Sequence, residues 1–258
     1  MKLVNYHVED RLAYITLNRP EKRNALNFQM VEELKMCFSE AENDENVKVI
    51  ILSGIGEAFC AGADLEYLQQ LQNNTFDENL KDSVFLKDLY YQIYTLSKVV
   101  IAKVKGYAIA GGCGLASVCD FIYASEDAKF GYTEVKIGFV PAIVMTFLLR
   151  KVGEMKAKEV LLSGDLIHAE KALQMGIINK VFSLNELDGE VEDFAKHLIK
   201  TNSSQGMALT KQMIAAVQSK SLNEALHYAA EKNARARGFT DCKKGIAAFL
   251  NKEKIVWD

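Results

Sequence analysis

Apolar and polar residues alternate at the start of the chain in a way that predicts a β-hairpin. Val4, Tyr6 and Val8 are separated by polar residues, a polar turn follows, and residues 12–17 resume the apolar pattern. From Asn27, a residue type favoured at helix N-caps, apolar side chains recur at helical spacing. The chain is therefore expected to open with two strands and a helix.

The order of strand and helix then repeats. Residues 47–52 form an almost continuous apolar run, and residues 53–62 form a glycine-bearing loop that a helix is expected to follow. Apolar side chains at helical spacing between residues 80 and 96 predict a longer helix, which leads into the β-branched run 99–104. Parallel neighbouring strands need crossover connections, and these are usually helical, so the alternation predicts an α/β layer with parallel strands.

Four glycines fall within the nine residues 106–114, between that strand and a short predicted helix. If the helix begins at Gly111 or Gly112, its first N–H groups have no carbonyl partner and carry the positive end of the helix dipole, which suits an oxyanion. The alternative is a plain strand-to-helix turn, which this stretch alone favours. The segment has neither the lysine and hydroxyl of a P-loop nor the glycine spacing of a dinucleotide-binding turn.

The second half of the chain is mainly helical in pattern. Pro141 stands where a helix can begin. Further helices are expected at residues 156–162, 169–175 and 184–200, with a last strand at 176–182 and three more helices from Ser203 to the end, the last starting at Thr240. We predict an α/β core at residues 1–200 and a C-terminal helical region at 201–258. The apolar faces of that region are expected to pack on another subunit or on the core.

Composition narrows the function classes. The 258 residues are 49% apolar and 25% charged, with 31 Lys and Arg against 34 Asp and Glu, a net charge of −3. This balance argues against nucleic acid as a partner. The five cysteines show no CxxC spacing, the N-terminus becomes charged too early for a signal peptide, and the longest apolar run is too short to span a bilayer. A cytoplasmic protein without a membrane partner is expected.

Four motifs together resemble those of the enoyl-CoA hydratase/isomerase family, also called the crotonase family. They are RPEKRNALN at 19–27, AFCAGADL at 58–65, GYAIAGGCGLASVCD at 106–120 and KFGYTEVKIGFVP at 129–141. The resemblance covers nearly the whole chain. It implies an α/β, crotonase-like spiral of ββα units with a C-terminal helical trimerisation region, assembled as a homotrimer or as a hexamer made of two trimers. It also implies an acyl-CoA thioester as the substrate, with no metal or redox cofactor.

The same resemblance implies roles for individual residues. The backbone N–H groups of Ala63 and Gly111 are expected to form an oxyanion hole for the thioester oxygen, in agreement with the anion-binding turn inferred above. The backbone near Ala25, Ala61 and Leu65 is expected to line the slot for the CoA nucleotide.

Three basic residues are candidates for the CoA phosphates. They are Lys22, Arg23 and, from a neighbouring chain, Lys252. Their alternative interpretation is solvated surface charge, which is equally probable for each lysine alone.

Family hydratases carry two glutamates, and the resemblance places the second at Glu134. The position of the first is occupied by Gly114. Two carboxylates can hold a water between them, whereas one is enough to move a proton within a single substrate, as a double-bond isomerase does. Hydration and double-bond shift both stay open at this point, and the segment KIGFVPAIV is similar to the branch of methylglutaconyl-CoA hydratases, which act on branched or dicarboxylic acyl groups.

Other polar residues receive structural interpretations. The four histidines are scattered and support no nucleophilic triad. Cys113 is expected to pack in the core, and Asp64 to cap a helix. Tyr67, Tyr90, Tyr132 or a bound water are candidates for a missing proton relay. A non-catalytic scaffold with this fold is the rival from a different functional class.

Overall fold

The structure, a computed structural model, describes residues 2–257. Within this range the strands are β1 (Val4–Glu9), β2 (Leu12–Leu17), β3 (Val49–Gly54), β4 (Ala58–Cys60), β5 (Val99–Val104), β6 (Tyr107–Ile109), β7 (Phe121–Ser125), β8 (Lys129–Gly131), β9 (Ile167–His168) and β10 (Lys180–Phe182). The helices are α1 (Phe28–Asn43), α2 (Leu65–Leu71), α3 (Phe76–Thr95), α4 (Gly111–Ser117), α5 (Ala142–Ser163), α6 (Ala169–Met175), α7 (Leu187–Thr201), α8 (Ser204–Val217), α9 (Leu222–Ala236) and α10 (Thr240–Leu250).

A six-stranded sheet in the order β1-β2-β3-β5-β7-β10 forms the larger layer. β1 and β2 make the predicted antiparallel hairpin, and every other neighbouring pair is parallel. In β3, Ile50 and Leu52 pack into one hydrophobic cluster while Val49 and Ile51 pack into another on the opposite face. Because both faces of β3 are buried, the strand reads as an uninterrupted apolar run, which is why the sequence predicts it.

A second sheet, in the order β4-β6-β8-β9, was not predicted. β4, β6 and β8 have three residues each and run parallel, and the two-residue β9 adds antiparallel to β8. Strands this short have no measurable alternation of apolar and polar residues. β4 and β6 also lie inside the segments that the sequence analysis treated as glycine loops. This small sheet carries the candidate site.

The helices follow the predicted pattern. Asn27 caps α1, because its side chain accepts a hydrogen bond of 2.9 Å from the N–H of Met30. The element α5 consists of two helical segments that meet at Gly153, where φ of +76° and ψ of 170° are not helical, as expected from the separate helices predicted from Pro141 and at 156–162. Glycine adopts this left-handed conformation without a steric penalty, so the chain bends there and continues.

The C-terminal helices pack partly on the core. α8 contacts α3 and β5, and α10 contacts α8. Large apolar side chains on these helices stay exposed, including Leu222, Phe249 and Leu250. The predicted boundary between regions 1–200 and 201–258 lies at the end of α7, and the independence of the two regions stays a prediction. Of the helices in the described range, none is both long and apolar enough to cross a membrane.

Candidate active site

The candidate site lies at one edge of the small sheet. β4, β6 and β8 are parallel neighbours, so their carboxyl ends meet at the same edge. Ala63 follows β4, Gly111 follows β6 and Glu134 follows β8, each within three residues of the strand end. The three residues predicted for catalysis from separate motifs are therefore brought to one edge by a sheet that the sequence did not reveal.

The N–H of Ala63 is directed away from the neighbouring chain segment. Ala63 forms an isolated parallel bridge with Leu26, in which Leu26 N–H donates to the Gly62 carbonyl (2.7 Å) and Asp64 N–H donates to the Leu26 carbonyl (2.8 Å). In a parallel bridge these flanking groups make the bonds, and the central residue's own N–H points to the opposite side. The Ala63 N–H is thus available to a ligand.

Gly111 is the first residue of α4, and its N–H is held in place by the turn before it. Ala110 has φ +52° and ψ −125°, an unusual conformation for a residue with a side chain. Its N–H donates to the Gly131 carbonyl (2.7 Å) and its carbonyl accepts from Gly114 N–H (3.0 Å). Because the C=O and N–H of a trans peptide point in opposite directions, a carbonyl engaged inside α4 directs the Gly111 N–H outward.

The two glycine loops are in contact. A Cβ atom added to Gly62 would lie 2.8 Å from the Ala110 Cβ and 3.3 Å from the Gly111 nitrogen. A side chain at Gly62, which also has φ +89°, would therefore push the loops apart. Behind them, the Tyr90 hydroxyl donates a 2.8 Å hydrogen bond to the Gly111 carbonyl. This contact was not predicted, since nothing in the α3 sequence separates Tyr90 from a core aromatic.

Glu134 is a buried carboxyl group with a free oxygen. Its exposed fraction is 8%, and its Oε2 atom has no hydrogen-bond partner among the described residues. Burial raises the pKa of Glu134, and a hydrogen bond from its own backbone N–H opposes this effect. An unpartnered buried carboxyl oxygen is costly to maintain, so its presence points to a functional role.

Gly114, the position of the absent first glutamate, is filled by a neighbour. A Cβ atom at Gly114 would lie 2.1 Å from Cγ1 and 2.7 Å from Cβ of Val144, in the first turn of α5. Val144 is itself buried. Sequence reasoning missed Val144, because no signal in the chain pairs these two distant positions. The space beside Gly114 is thus occupied by the apolar side chain of Val144.

Comparison with known proteins agrees with these features. The family model described as enoyl-CoA hydratase/isomerase matches residues 7–258. A Thermus thermophilus relative is 39% identical over 241 residues, 93% of this chain and 95% of that protein. A short-chain-enoyl-CoA hydratase of Clostridium acetobutylicum is 34% identical over 249 residues, 96% of this chain and 94% of that protein. The chain belongs to the enoyl-CoA hydratase/isomerase family.

A solved structure supports the fold at the same level. The crystal structure of an enoyl-CoA hydratase from Mycobacterium smegmatis aligns with a TM-score of 0.93 at 29% identity and covers 99% of this chain and 98% of that one. The predicted crotonase-like architecture is therefore confirmed. So is the prediction that the chain is an acyl-CoA enzyme of this family.

The 19–27 loop, which is predicted to bind CoA, lies against the loop that contains Ala61 and Ala63. Ala61 N–H donates to the Arg23 carbonyl (3.0 Å), so the segment with Ala25 runs beside the segment with Ala61. The side chain of Asn24 fixes the loop by accepting from Arg19 N–H (2.9 Å) and donating to the Ala58 carbonyl (2.8 Å). The backbone near Ala25 and the backbone near Ala61 are thus neighbours, and the role of Ala25, Ala61 and Leu65 in lining a CoA slot stays a prediction.

Of the three residues predicted to bind the CoA phosphates, Lys22 and Arg23 lie in the 19–27 loop and Lys252 lies after α10. Lys22 forms an ion pair with Glu66 (2.5 Å) beside Leu65, and both partners are well exposed. Arg23 adjoins it, with its backbone in the left-handed region. Lys252 follows α10, and its predicted contribution from a neighbouring chain stays a prediction.

The hydroxyl groups of the candidate relay tyrosines are already engaged. Tyr67 donates to Asp82, Tyr90 to the Gly111 carbonyl, and Tyr132 pairs with Ser117 at 2.9 Å. Burial raises the pKa of all three hydroxyls. Which group relays a proton stays a prediction.

Cys113, on α4, is a buried core residue. Burial raises the pKa of the Cys113 thiol to about 12, so it packs as an inert side chain, as expected. Among residues 2–257, no group of three or more His, Cys, Asp or Glu side chains could hold a metal ion. The expectation that no cofactor is needed stays a prediction.

Asp64 has the structural role expected of it. Its carboxylate accepts from the N–H groups of Glu66 and Tyr67 at the start of α2 and forms a 2.6 Å ion pair with Arg19, whose side chain is 13% exposed. Burial alone would raise the pKa of Asp64, but the hydrogen bonds from Arg19 and the two N–H groups outweigh it and lower the pKa.

Asp64→Ala is expected to lower the free energy of unfolding by about 3 kcal/mol at neutral pH, because it removes a helix cap and leaves a buried guanidinium unpaired. The lowered pKa means that this stabilisation is present above the ordinary aspartate pKa and is lost as pH falls through the lowered value. Urea unfolding at neutral and acidic pH measures the difference. The exposed Asp193→Ala is the control. Equal losses for both variants would contradict the assigned role.

Proposed function

We propose that this chain is an acyl-CoA enzyme that forms a thioester enolate, with the N–H groups of Ala63 and Gly111 as the oxyanion hole and Glu134 as the acid/base. The observation that carries this proposal is the buried oxygen of Glu134, which has no hydrogen-bond partner within residues 2–257, at the same sheet edge as two outward-facing N–H groups. Preorganised donors stabilise charge that develops on the thioester oxygen, and one such donor is worth about 3 kcal/mol of barrier.

The proton balance of the proposed step is simple. Glu134 takes a proton from the α-carbon, and the electron pair of that C–H bond moves to the thioester oxygen. Return of the proton to the α-carbon gives exchange with solvent, whereas return to the γ-carbon moves a 3,4 double bond into the 2,3 position. Both outcomes need one carboxyl group and one oxyanion hole. The packing of Val144 over Gly114 favours this single-carboxylate chemistry.

Hydration of an enoyl-CoA is the second candidate reaction. It is favoured by the names of the relatives, such as the short-chain-enoyl-CoA hydratase of Clostridium acetobutylicum at 34% identity. Water would add at the β-carbon and lose a proton to Glu134, and Glu134 would then deliver a proton to the α-carbon, where the enolate electron pair forms the new C–H bond. Branched or dicarboxylic enoyl groups, as in methylglutaconyl-CoA, are the substrate class that the sequence motif suggested. Comparing crotonyl-CoA hydration with isomerisation of a 3-enoyl-CoA separates the two reactions.

CoA thioesters are expected to bind along the 19–27 loop. In calorimetric titration with acetoacetyl-CoA, the intact protein should bind, and Arg23→Ala should weaken binding by roughly 3- to 10-fold through loss of a phosphate contact. Arg235→Ala, an exposed arginine on α9, is the matched control. No heat and no thermal shift with several CoA thioesters would instead support the non-catalytic scaffold.

We also infer a homotrimer, or a hexamer made of two trimers. Its support is the set of apolar side chains left exposed on the C-terminal helices, such as Leu222 on α9 and Phe249 on α10. Deleting residues 240–258 should shift the mass measured by light scattering toward the monomer. A stable monomer of the intact chain at micromolar concentration would refute the inference. A cytoplasmic location stays a prediction.

A further inference from the structure

A cavity of about 700 Å³ lies apart from the candidate active site. It is an open cleft between the end of α4, α5 and α8, and Ala63, Gly111 and Glu134 are not among its lining residues. Its walls are mostly apolar, with Val118, Phe147, Met207 and Ile214 among the residues that form them. A volume of several hundred Å³ with apolar walls is typical of small-molecule sites.

Two lysines line this cavity, and only one of them is fully paired. Lys211 donates to the Asp120 carboxylate (2.7 Å) and to the Lys98 carbonyl (2.9 Å). Asp120 also accepts from the N–H of Val100 (2.7 Å), so this group is satisfied within the protein. A buried cation with such partners is ordinary structural chemistry.

Lys151 differs from Lys211 in its bonding. Its ammonium group makes one long hydrogen bond, 3.4 Å to the Cys119 carbonyl at the end of α4, and no other partner among the described residues. Burial lowers the pKa of Lys151, although electrostatic interactions with Cys119, Asp120 and Cys113 partly oppose this effect. An ammonium group has three donors, so the cavity contains donors that a ligand could use.

Among the described residues that line the cavity, cations outnumber anions. Lys151, Lys211 and Arg150 are the cations, and Asp120 is the one anion in this described part of the lining. The Arg150 guanidinium donates to the Gln218 side chain (3.1 Å), which leaves its charge uncompensated. Asp120 pairs directly with Lys211 and also interacts with the charge of Lys151, so one carboxylate faces three cations. The remaining positive charge attracts an anionic group.

We propose that this cavity binds a small carboxylate with an apolar body, its carboxylate on Lys151 and its hydrocarbon part against the apolar walls. The site is separate from the slot proposed for the CoA thioester. It needs no conformational change of the core, since the cavity is already formed between the helices.

The experiment uses octanoate as the probe and octan-1-ol as the uncharged control, in calorimetric titration of the full chain. Octanoate should bind, and Lys151→Met should weaken it at least tenfold, because the variant keeps the aliphatic stem and removes the charge. Octan-1-ol affinity should change little. Lys156→Met is the matched control, since Lys156 lies on the same helix and bonds to the Met175 carbonyl instead.

A second variant keeps the proposal testable if Lys151→Met fails to fold. Ala215→Phe fills the cavity from α8 and should abolish octanoate binding while α-proton exchange of acyl-CoA continues. Saturation with acetoacetyl-CoA should not displace octanoate. The proposal is overturned if octanoate does not bind, if either folded variant binds it as the unaltered protein does, or if acetoacetyl-CoA competes with it.

Discussion

Glu134→Gln is expected to slow α-proton exchange of an acyl-CoA by about 10²- to 10⁴-fold, the usual contribution of a positioned acid/base group. Glutamine preserves the shape of the side chain but cannot take a proton. Affinity for acetoacetyl-CoA should stay within about twofold, because the variant removes a transition-state role and leaves ground-state contacts in place. Exchange is measured in D₂O by NMR, and affinity by calorimetry.

The same variant has a predictable effect on stability. Since burial raises the pKa of Glu134, ionisation of the carboxyl group disfavours the folded state. The folded state is stabilised by protonated Glu134. This contribution to the free energy of unfolding is fully present below the ordinary glutamate pKa, and it is lost as pH rises through the raised pKa of Glu134 in the folded protein. Glu134→Gln should therefore melt at a higher temperature than the unaltered protein at neutral pH, and this difference should vanish in acid.

The raised pKa also sets the pH dependence of activity. Glu134 must be ionised to accept a proton, so the acidic limb of the rate profile should lie above the range of an ordinary glutamate. Glu126→Gln, an exposed carboxylate on the turn between β7 and β8, is the control and should leave exchange and the profile unchanged. Exchange that persists in Glu134→Gln would place the acid/base elsewhere.

The sequence predicts the helices and strands that are long enough to show a helical or an alternating repeat of apolar residues. β3 is a buried apolar run, and α1 shows helical spacing with a capping asparagine, so both were predicted close to their observed bounds. β4, β6 and β8 have three residues each, too few for either period to appear. The motifs could therefore identify Ala63, Gly111 and Glu134 singly, but they could not explain why the three residues converge.

Contacts between residues that are distant in the chain are the part of the site that could not be predicted from this sequence alone. The hydrogen bond from Tyr90 to the Gly111 carbonyl and the contact of Val144 with Gly114 join residues far apart in the chain. Tyr90 and Val144 are indistinguishable from ordinary core residues by type and spacing. The sequence shows that Gly114 stands in place of a glutamate, but only the structure shows that the Val144 side chain fills the space beside it.

That filled position determines how a second carboxylate can be introduced. Gly114→Glu alone is expected to destabilise the fold by roughly 1–3 kcal/mol and to gain no hydration activity, because its Cβ would overlap the Val144 side chain. Val144→Ala would not relieve the overlap, since the Val144 Cβ itself lies 2.7 Å from the new atom. Only Val144→Gly clears the space.

The double variant Gly114→Glu/Val144→Gly is expected to hydrate crotonyl-CoA at least about tenfold faster than the unaltered protein, because two carboxylates can hold a water where one cannot. Val144→Gly alone is the matched control: it opens the space without adding the carboxylate, so it should lose stability and gain no activity. Hydration is followed by loss of the enoyl absorbance, and folding by calorimetric melting. A folded double variant that binds acetoacetyl-CoA but hydrates crotonyl-CoA no faster would show that the missing carboxylate does not limit hydration in this site.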